Sequence, residues 1–224
     1  MQKVANGPCA NCTKATTLRG VSVRSKSSLK TRLLVLRHGQ SEWNAQGRWQ
    51  GQADIALTPN GVEQAHQAAK KIGKFDLIAA SSLQRARQTA EIIAQAHGIK
   101  DLVIDDRLKE SFIGPWEGLT YAEIESGWPG YLAAFKQPPD FEPNQNVVDR
   151  MTAAFVDIAA KCRGGQALVI SHSGVIRTIR RELKVADAKL ENLGGCWFDV
   201  LPDGQITAGR IITVIDELNS SESL

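Results

Sequence analysis

Leu33-Leu34-Val35-Leu36-Arg37-His38-Gly39 decides how this chain folds. Four consecutive aliphatic residues with no polar alternation read as a strand buried on both faces, and such strands belong to parallel sheets covered by helices on each side. The Arg and His then emerge at the carboxyl end of that strand, beside a glycine that lets the backbone turn. In open α/β sheets, ligands bind beyond the carboxyl ends of the strands, where the strand order reverses.

Downstream, strand and helix patterns alternate. Thr58 stands where an N-cap belongs, Pro59 suits the first helical position, and Val62, Ala65, Ala69 and Ile72 recur at helical spacing, which predicts a helix over 59–72. Residues 76–80 form a second apolar run. Ser81 and Ser82 read as caps for a helix carrying Leu83, Ala86, Ala90, Ile93 and Ala94, which Gly98 stops. A short strand follows at 102–104. Residues 110–145 are loop-rich and hold Trp116, Trp128, Pro129, Pro138, Pro139 and Pro143; long irregular excursions of this kind are usually functional.

Asn146 is placed to cap a helix whose Val147, Met151, Ala154, Phe155, Ile158 and Cys162 share a face, ended by Gly164-Gly165. Residues 167–170 read as a strand and 174–184 as a helix. Residues 196–201 and 205–215 read as two strands joined by a Pro202-Asp203-Gly204 turn. The expected architecture is an α/β three-layer sandwich: a mainly parallel sheet, helices on both faces, and an antiparallel edge strand or hairpin.

Composition narrows the function. The 224 residues, 42% of them apolar, suffice for one domain with a real core. Residues 1–30 contain Lys3, Lys14, Arg19, Arg24, Lys26 and Lys30 and no acid; removing those six from the formal +3 leaves a body of −3. A mildly acidic body lacks the basic patch of a nucleic-acid-binding domain. No apolar run reaches the ~18 residues that span a bilayer, so no membrane partner is expected and the location reads as cytoplasmic. Four scattered cysteines do not make a disulfide framework. Residues 1–30 read as a disordered or targeting-like tail, 31–218 as the domain and 219–224 as a short tail. Cys9 and Cys12 have metal-ligand spacing but no second pair, so they read as incidental.

The chemistry lies at two strand ends. The first is Arg37-His38-Gly39; the second is Ser171-His172-Ser173-Gly174, which leads from a strand into a helix whose N-terminal amides suit an anion. Two imidazoles, an arginine and unpaired amides converging on one crevice suit a tetrahedral dianion, for which phosphate is the natural guest.

These residues resemble the signature of the histidine phosphatase superfamily, in its phosphoglycerate mutase-like branch. Further matches stand in the family's order: Leu57-Thr58-Pro59-Asn60-Gly61, Ser81-Ser82-Leu83-Gln84-Arg85-Ala86-Arg87-Gln88-Thr89-Ala90, Leu108-Lys109-Glu110 and Gly114-Pro115-Trp116-Glu117-Gly118. The resemblance covers residues 32–215. It implies His38 as nucleophile, Arg37 and Arg85 as a guanidinium clamp on the phosphoryl oxygens, His172 as the second imidazole and Glu110 as acid and base. It also implies substrate contacts from Gly39, Asn44, Gln50, Gly51 and Ser173. No metal and no cofactor are expected, the partner is a small phosphorylated metabolite, and the oligomeric state stays open, with a homodimer among the options.

The resemblance also bears on the reaction. Family mutases that use bisphosphoglycerate carry a Lys where this chain has Tyr121 and an Arg pair in a downstream insertion, whereas 127–143 here holds only Lys136. The expected reaction is therefore hydrolysis of a phosphomonoester, with the mutase as alternative and a noncatalytic phosphate-binding module as the lesser one. Trp116, Trp128, Tyr131, Phe135 and Phe141 are candidates for the leaving-group pocket.

Overall fold

The structure, a computed structural model, describes residues 29–215. The readings of residues 1–28, with Cys9 and Cys12, and of 216–224 lie outside the described residues. The strands are β1 (Thr31–Arg37), β2 (Leu77–Ala80), β3 (Leu102–Ile104), β4 (Gln166–Ser171), β5 (Gly194–Val200) and β6 (Ile206–Thr213). They form one sheet in the order β3-β2-β4-β1-β5-β6. The β3, β2, β4 and β1 strands run parallel, and β5 and β6 are antiparallel. The antiparallel pair β5 and β6 closes that edge as the expected hairpin.

Period-2 geometry divides the core between the two faces of the sheet. Leu33, Val35, Ala167, Val169 and Phe198 pack with α5 (Asn144–Cys162) and α6 (Ser173–Glu182). Leu34, Leu36, Ile78, Ala80, Leu168 and Ile170 pack with α2 (Pro59–Lys71) and α3 (Gln84–His97) on the other face. Leu33, Val35 and Leu36 are fully buried and Leu34 nearly so, which explains the unbroken aliphatic run: each strand residue has a helix to pack on. Burial of each such side chain is worth about 1.5–3 kcal/mol.

Two terminal residues act as expected. The Thr58 hydroxyl accepts the Gly61 N–H and starts α2 with Pro59 at its first turn, and Gly98 ends α3 at φ +67°. Others differ. Neither Ser81 nor Ser82 caps α3; the Asp54 carboxylate, arriving from a loop, accepts the Gln84 N–H at 2.5 Å, while Ser82 is drawn to Asp106. Likewise α5 starts at Asn144 rather than after Asn146, because Pro143 already fixes the φ that its entry requires.

Within 110–145 lie a 3₁₀ turn, Gly114–Trp116, and a short helix, α4 (Tyr121–Gly127), begun by a reciprocal Thr120–Glu123 capping box. Another capping box, Ser41 with Asn44, starts the one-turn helix α1 (Glu42–Ala45). Trp116 sits edge-on against Trp49, Trp128 and Phe141 in a small core of its own that also includes Ile124. Of the aromatic residues considered for a leaving-group pocket, Trp116, Trp128, Tyr131 and Phe141 share this cluster, whereas Phe135 is 92% exposed. Among the described residues no helix is long and apolar enough to cross a membrane.

Candidate active site

Strands β1 and β4 are neighbours in register, with Arg37 opposite Ser171, so the residues that follow each strand emerge side by side. The His38 N–H donates to the Ser171 carbonyl at 3.0 Å. The two imidazole centres lie 5.2 Å apart at a 59° tilt, and both residues are buried.

His38 has a defined tautomer. Its Nδ1 lies 2.6 Å from the Gly39 carbonyl, which only accepts, so Nδ1 carries the proton. Nε2 is left with its lone pair, to which the Arg85 Nε–H donates at 3.2 Å. Burial, then the Arg85 and Arg37 charges, hold this imidazole well below its usual range, with the Gly39 bond opposing. The ring is thus a neutral imidazole with a bare nitrogen at neutral pH.

Arg85, 1% exposed, is fixed by two further bonds: Nη1 to the Ala53 carbonyl at 2.7 Å and Nη2 to the Gly51 carbonyl at 2.8 Å. Burial pulls its pKa down to about 10, opposed by Glu110 and Asp54, so it stays cationic at neutral pH. Arg37 gives Nη1 to the Leu190 carbonyl at 2.8 Å. Its pKa is lowered by burial, with Glu191 and Glu110 opposing.

Glu110 corrects one expectation. The α6 amides, read from sequence as free for an anion, are taken by this carboxylate: Oε2 accepts the Gly174 N–H at 2.9 Å, and Oε1 accepts the Val175 N–H at 3.1 Å and the Ser111 N–H at 2.9 Å. An acidic group at a helix N-terminus satisfies otherwise orphaned donors. Gly174 is required for this approach, since a Cβ there would stand 2.5 Å from Glu110 Oε1.

The remaining expected residues divide. Asn44 is tied to His38 through Asn192, with Asn44 Oδ1 accepting from the Ser41 N–H and from Asn192 Nδ2, each at 3.3 Å, while Asn192 also reaches the His38 carbonyl. Both of those donors fall on the oxygen, which leaves Nδ2 as the end Asn44 can offer. Gly39, Gly51 and Gln50 are committed inside the protein. The Gly39 N–H donates to Thr89 Oγ1 at 3.1 Å, and a Cβ there would stand 2.6 Å from the Gly61 carbonyl; Gln50 Oε1 accepts the Ser41 hydroxyl at 2.8 Å. Ser173, half-buried, opens α6.

Two residues escaped the sequence reading. Asn192 donates to the His38 carbonyl at 2.9 Å as well as to Asn44. Arg150 pins the loop that carries Glu110, donating to the carbonyls of Arg107, Lys109 and Glu110 while both Glu142 oxygens hold it in place. Arg150 lies three residues after Val147 and four before Ala154 on the apolar stripe of α5, an out-of-place charge that was the available signal.

Fold and site together define an α/β protein with a buried imidazole pair, one ring of which is bonded to the Arg85 guanidinium, at the carboxyl ends of adjacent parallel strands. The sequence model of the histidine phosphatase superfamily (branch 1) matches residues 33–195, and the chain belongs to that family. It is similar to phosphoglycerate mutase-like protein 4 of Arabidopsis thaliana, 32% identical over 171 residues, covering 72% of this chain and 74% of the relative. The metal-independent phosphoserine phosphatase of Arabidopsis thaliana is 34% identical over 159 residues, covering 66% of this chain and 67% of the relative. Among solved structures, a mycobacterial glucosyl-3-phosphoglycerate phosphatase in complex with VO3 superposes with a TM-score of 0.71 at 27% identity, covering 79% of this chain and 96% of that one.

Proposed function

We propose that the protein is a metal-independent phosphatase that hydrolyses small phosphomonoesters by way of a phosphohistidine at His38. The observation that carries this reading is the bare Nε2 of a buried, neutral imidazole, aligned by the Nδ1–H bond to Gly39 and flanked by Arg85. The relatives named as phosphatases of phosphoserine and of glucosyl-3-phosphoglycerate support it.

In the first step the Nε2 lone pair attacks phosphorus, the P–N bond forms and the ester P–O bond breaks. An incoming phosphoryl group takes that lone pair from the Arg85 Nε–H and offers its oxygens to the guanidinium instead. Arg37, Arg85, His172 and the Asn44 amide supply donors and positive charge where the oxygens become more negative, which is most of what phosphoryl transfer asks of a protein. Glu110 gives a proton to the departing alkoxide. Oε1 accepts two N–H groups and Oε2 one, so Oε2 has room for that proton. In the second step water loses a proton to Glu110 and attacks phosphorus, and the P–N bond breaks, returning His38 to its starting form.

Hydrolysis is favoured over mutase activity by Tyr121, which is exposed at the start of α4 where a mutase lysine would stand, and by the single lysine of 127–143, Lys136, whose ammonium lies 5.8 Å from the Tyr131 ring centre. The described cysteines, Cys162 and Cys196, are free thiols, which suits a cytoplasmic setting. The test is one assay on 3-phosphoglycerate, phosphoserine and other monoesters, with and without 2,3-bisphosphoglycerate, following inorganic phosphate and 2-phosphoglycerate together. Phosphate release without isomerisation is expected. Isomerisation that depends on bisphosphoglycerate would make the protein a mutase.

A further inference from the structure

We propose that Ser81 is a positioning residue that sets the tautomer of His172, fixing the proton on Nδ1 so that this nitrogen is a donor. The argument is a count of donors and acceptors at three buried atoms. Ser81 and His172 are both fully buried, and Ser81 Oγ lies 2.8 Å from His172 Nε2. The same Oγ accepts the Leu83 N–H at 3.2 Å. A hydroxyl has one proton and two lone pairs, and no other acceptor for the Ser81 proton lies within reach among the described residues. The proton therefore goes to His172 Nε2, which is then the bare nitrogen of the ring.

The other nitrogen agrees. His172 Nδ1 is buried with no hydrogen-bond partner. As the residue that caps α6, His172 would ordinarily find amides for a bare Nδ1 to accept from, but Gly174 N–H and Val175 N–H are both held by Glu110. A bare Nδ1 would thus be a buried acceptor with nothing to accept, while the Ser81 proton also went unmet: two orphans. With the proton on Nδ1 there is one orphan, a donor, in a ring 5.2 Å from that of His38, where a phosphoryl oxygen would satisfy it. Burial and the Arg85 charge hold His172 well below the usual imidazole range, which keeps the ring neutral and makes the choice of tautomer meaningful.

The consequence for turnover rests on the phosphatase reading above, and the tautomer itself does not. The experiment is ¹⁵N–¹H correlation spectroscopy of the four imidazoles at pH 7.5 in phosphate-free buffer, with His172 assigned from the His172→Gln spectrum. The wild type is expected to show His172 as the Nδ1–H form, and Ser81→Ala to move it toward the Nε2–H form. In the same variant kcat on a phosphomonoester should fall by roughly tenfold with KM within about twofold, the loss of one oriented hydrogen bond. Ser81→Thr, which keeps the hydroxyl, should restore both. An Nε2–H form in the wild type overturns the proposal without recourse to any variant, as does an unchanged Nδ1–H form in Ser81→Ala. If the wild type shows the Nδ1–H form and Ser81→Ala loses it, but no monoester is hydrolysed, the tautomer assignment stands and the functional reading falls.

Discussion

Replacing His38 by Gln removes a buried imidazole that the fold keeps uncharged, and this should flatten the pH dependence of stability in a calculable way. His38 is 3% exposed and His172 is fully buried, and in each case burial and the arginine charges push the pKa well below 6.5. Above pH 6.5 an unfolded histidine is mostly neutral, as the folded one is, so neither state gains. As pH falls through 6.5 the unfolded chain takes up a proton that the folded chain refuses, and stability drops by up to about 1.4 kcal/mol per pH unit for each histidine. Integrated from pH 7 to 5 with an unfolded pKa of ~6.5, that is at most about 1.9 kcal/mol per site, the limit reached by a ring that stays neutral over the whole interval. Urea unfolding followed by tryptophan fluorescence at pH 7, 6 and 5 measures it, since Trp116 is only 2% exposed. His38→Gln and His172→Gln should each lose less than the wild type over this interval, by as much as this amount, whatever their starting stability. Wild-type and variant lines that run parallel from pH 7 to 5 would refute the claim that the fold holds these rings neutral.

Gly174→Ala places a methyl group 2.5 Å from Glu110 Oε1 and should displace the carboxylate from the α6 amides. The expected loss in kcat/KM, which reports the first transfer and not the later attack of water, is on the order of 10²-fold on an alkyl phosphate and much smaller on p-nitrophenyl phosphate, whose leaving group needs no proton; equal losses in kcat/KM would take the acid role away from Glu110. Prolonged treatment with EDTA should leave kcat/KM unchanged, because two guanidinium groups supply the charge that Mg²⁺ gives in kinases, with the neutral His172 adding a hydrogen-bond donor. Activity lost on chelation and restored by a divalent cation would contradict this.

Much of the fold was legible because local pattern and global burial agree. Leu33–Leu36 is aliphatic throughout because helices cover both faces of β1, and Thr58-Pro59 and Gly98 carry their own start and stop chemistry. His38 and His172 were found for the same reason: each follows a recognisable strand, and the parallel pairing of β1 with β4 brings them together. What escaped depends on contacts far apart in sequence. Asn192 reaches His38 across 154 positions because β5 runs antiparallel to β1, with Gly195 opposite Leu36, a pairing that no local pattern announces. Ser81 looked like a cap because serine at a helix start usually is one, yet its hydroxyl is claimed by an imidazole 91 residues away. The helix α4 was within reach of the sequence, since Thr120-x-x-Glu123 is a capping-box pattern, but the prolines around it made the stretch read as loop.

The most direct test of the account is to mix the enzyme with a phosphomonoester, quench within milliseconds in base, where phosphohistidine survives, and locate the phosphate by peptide mass spectrometry. The account predicts phosphate on Nε2 of His38 at a substantial fraction of the enzyme, absent from His38→Ala, which should also have no turnover. Turnover with no phosphoenzyme on His38, or full activity in His38→Ala, would contradict it.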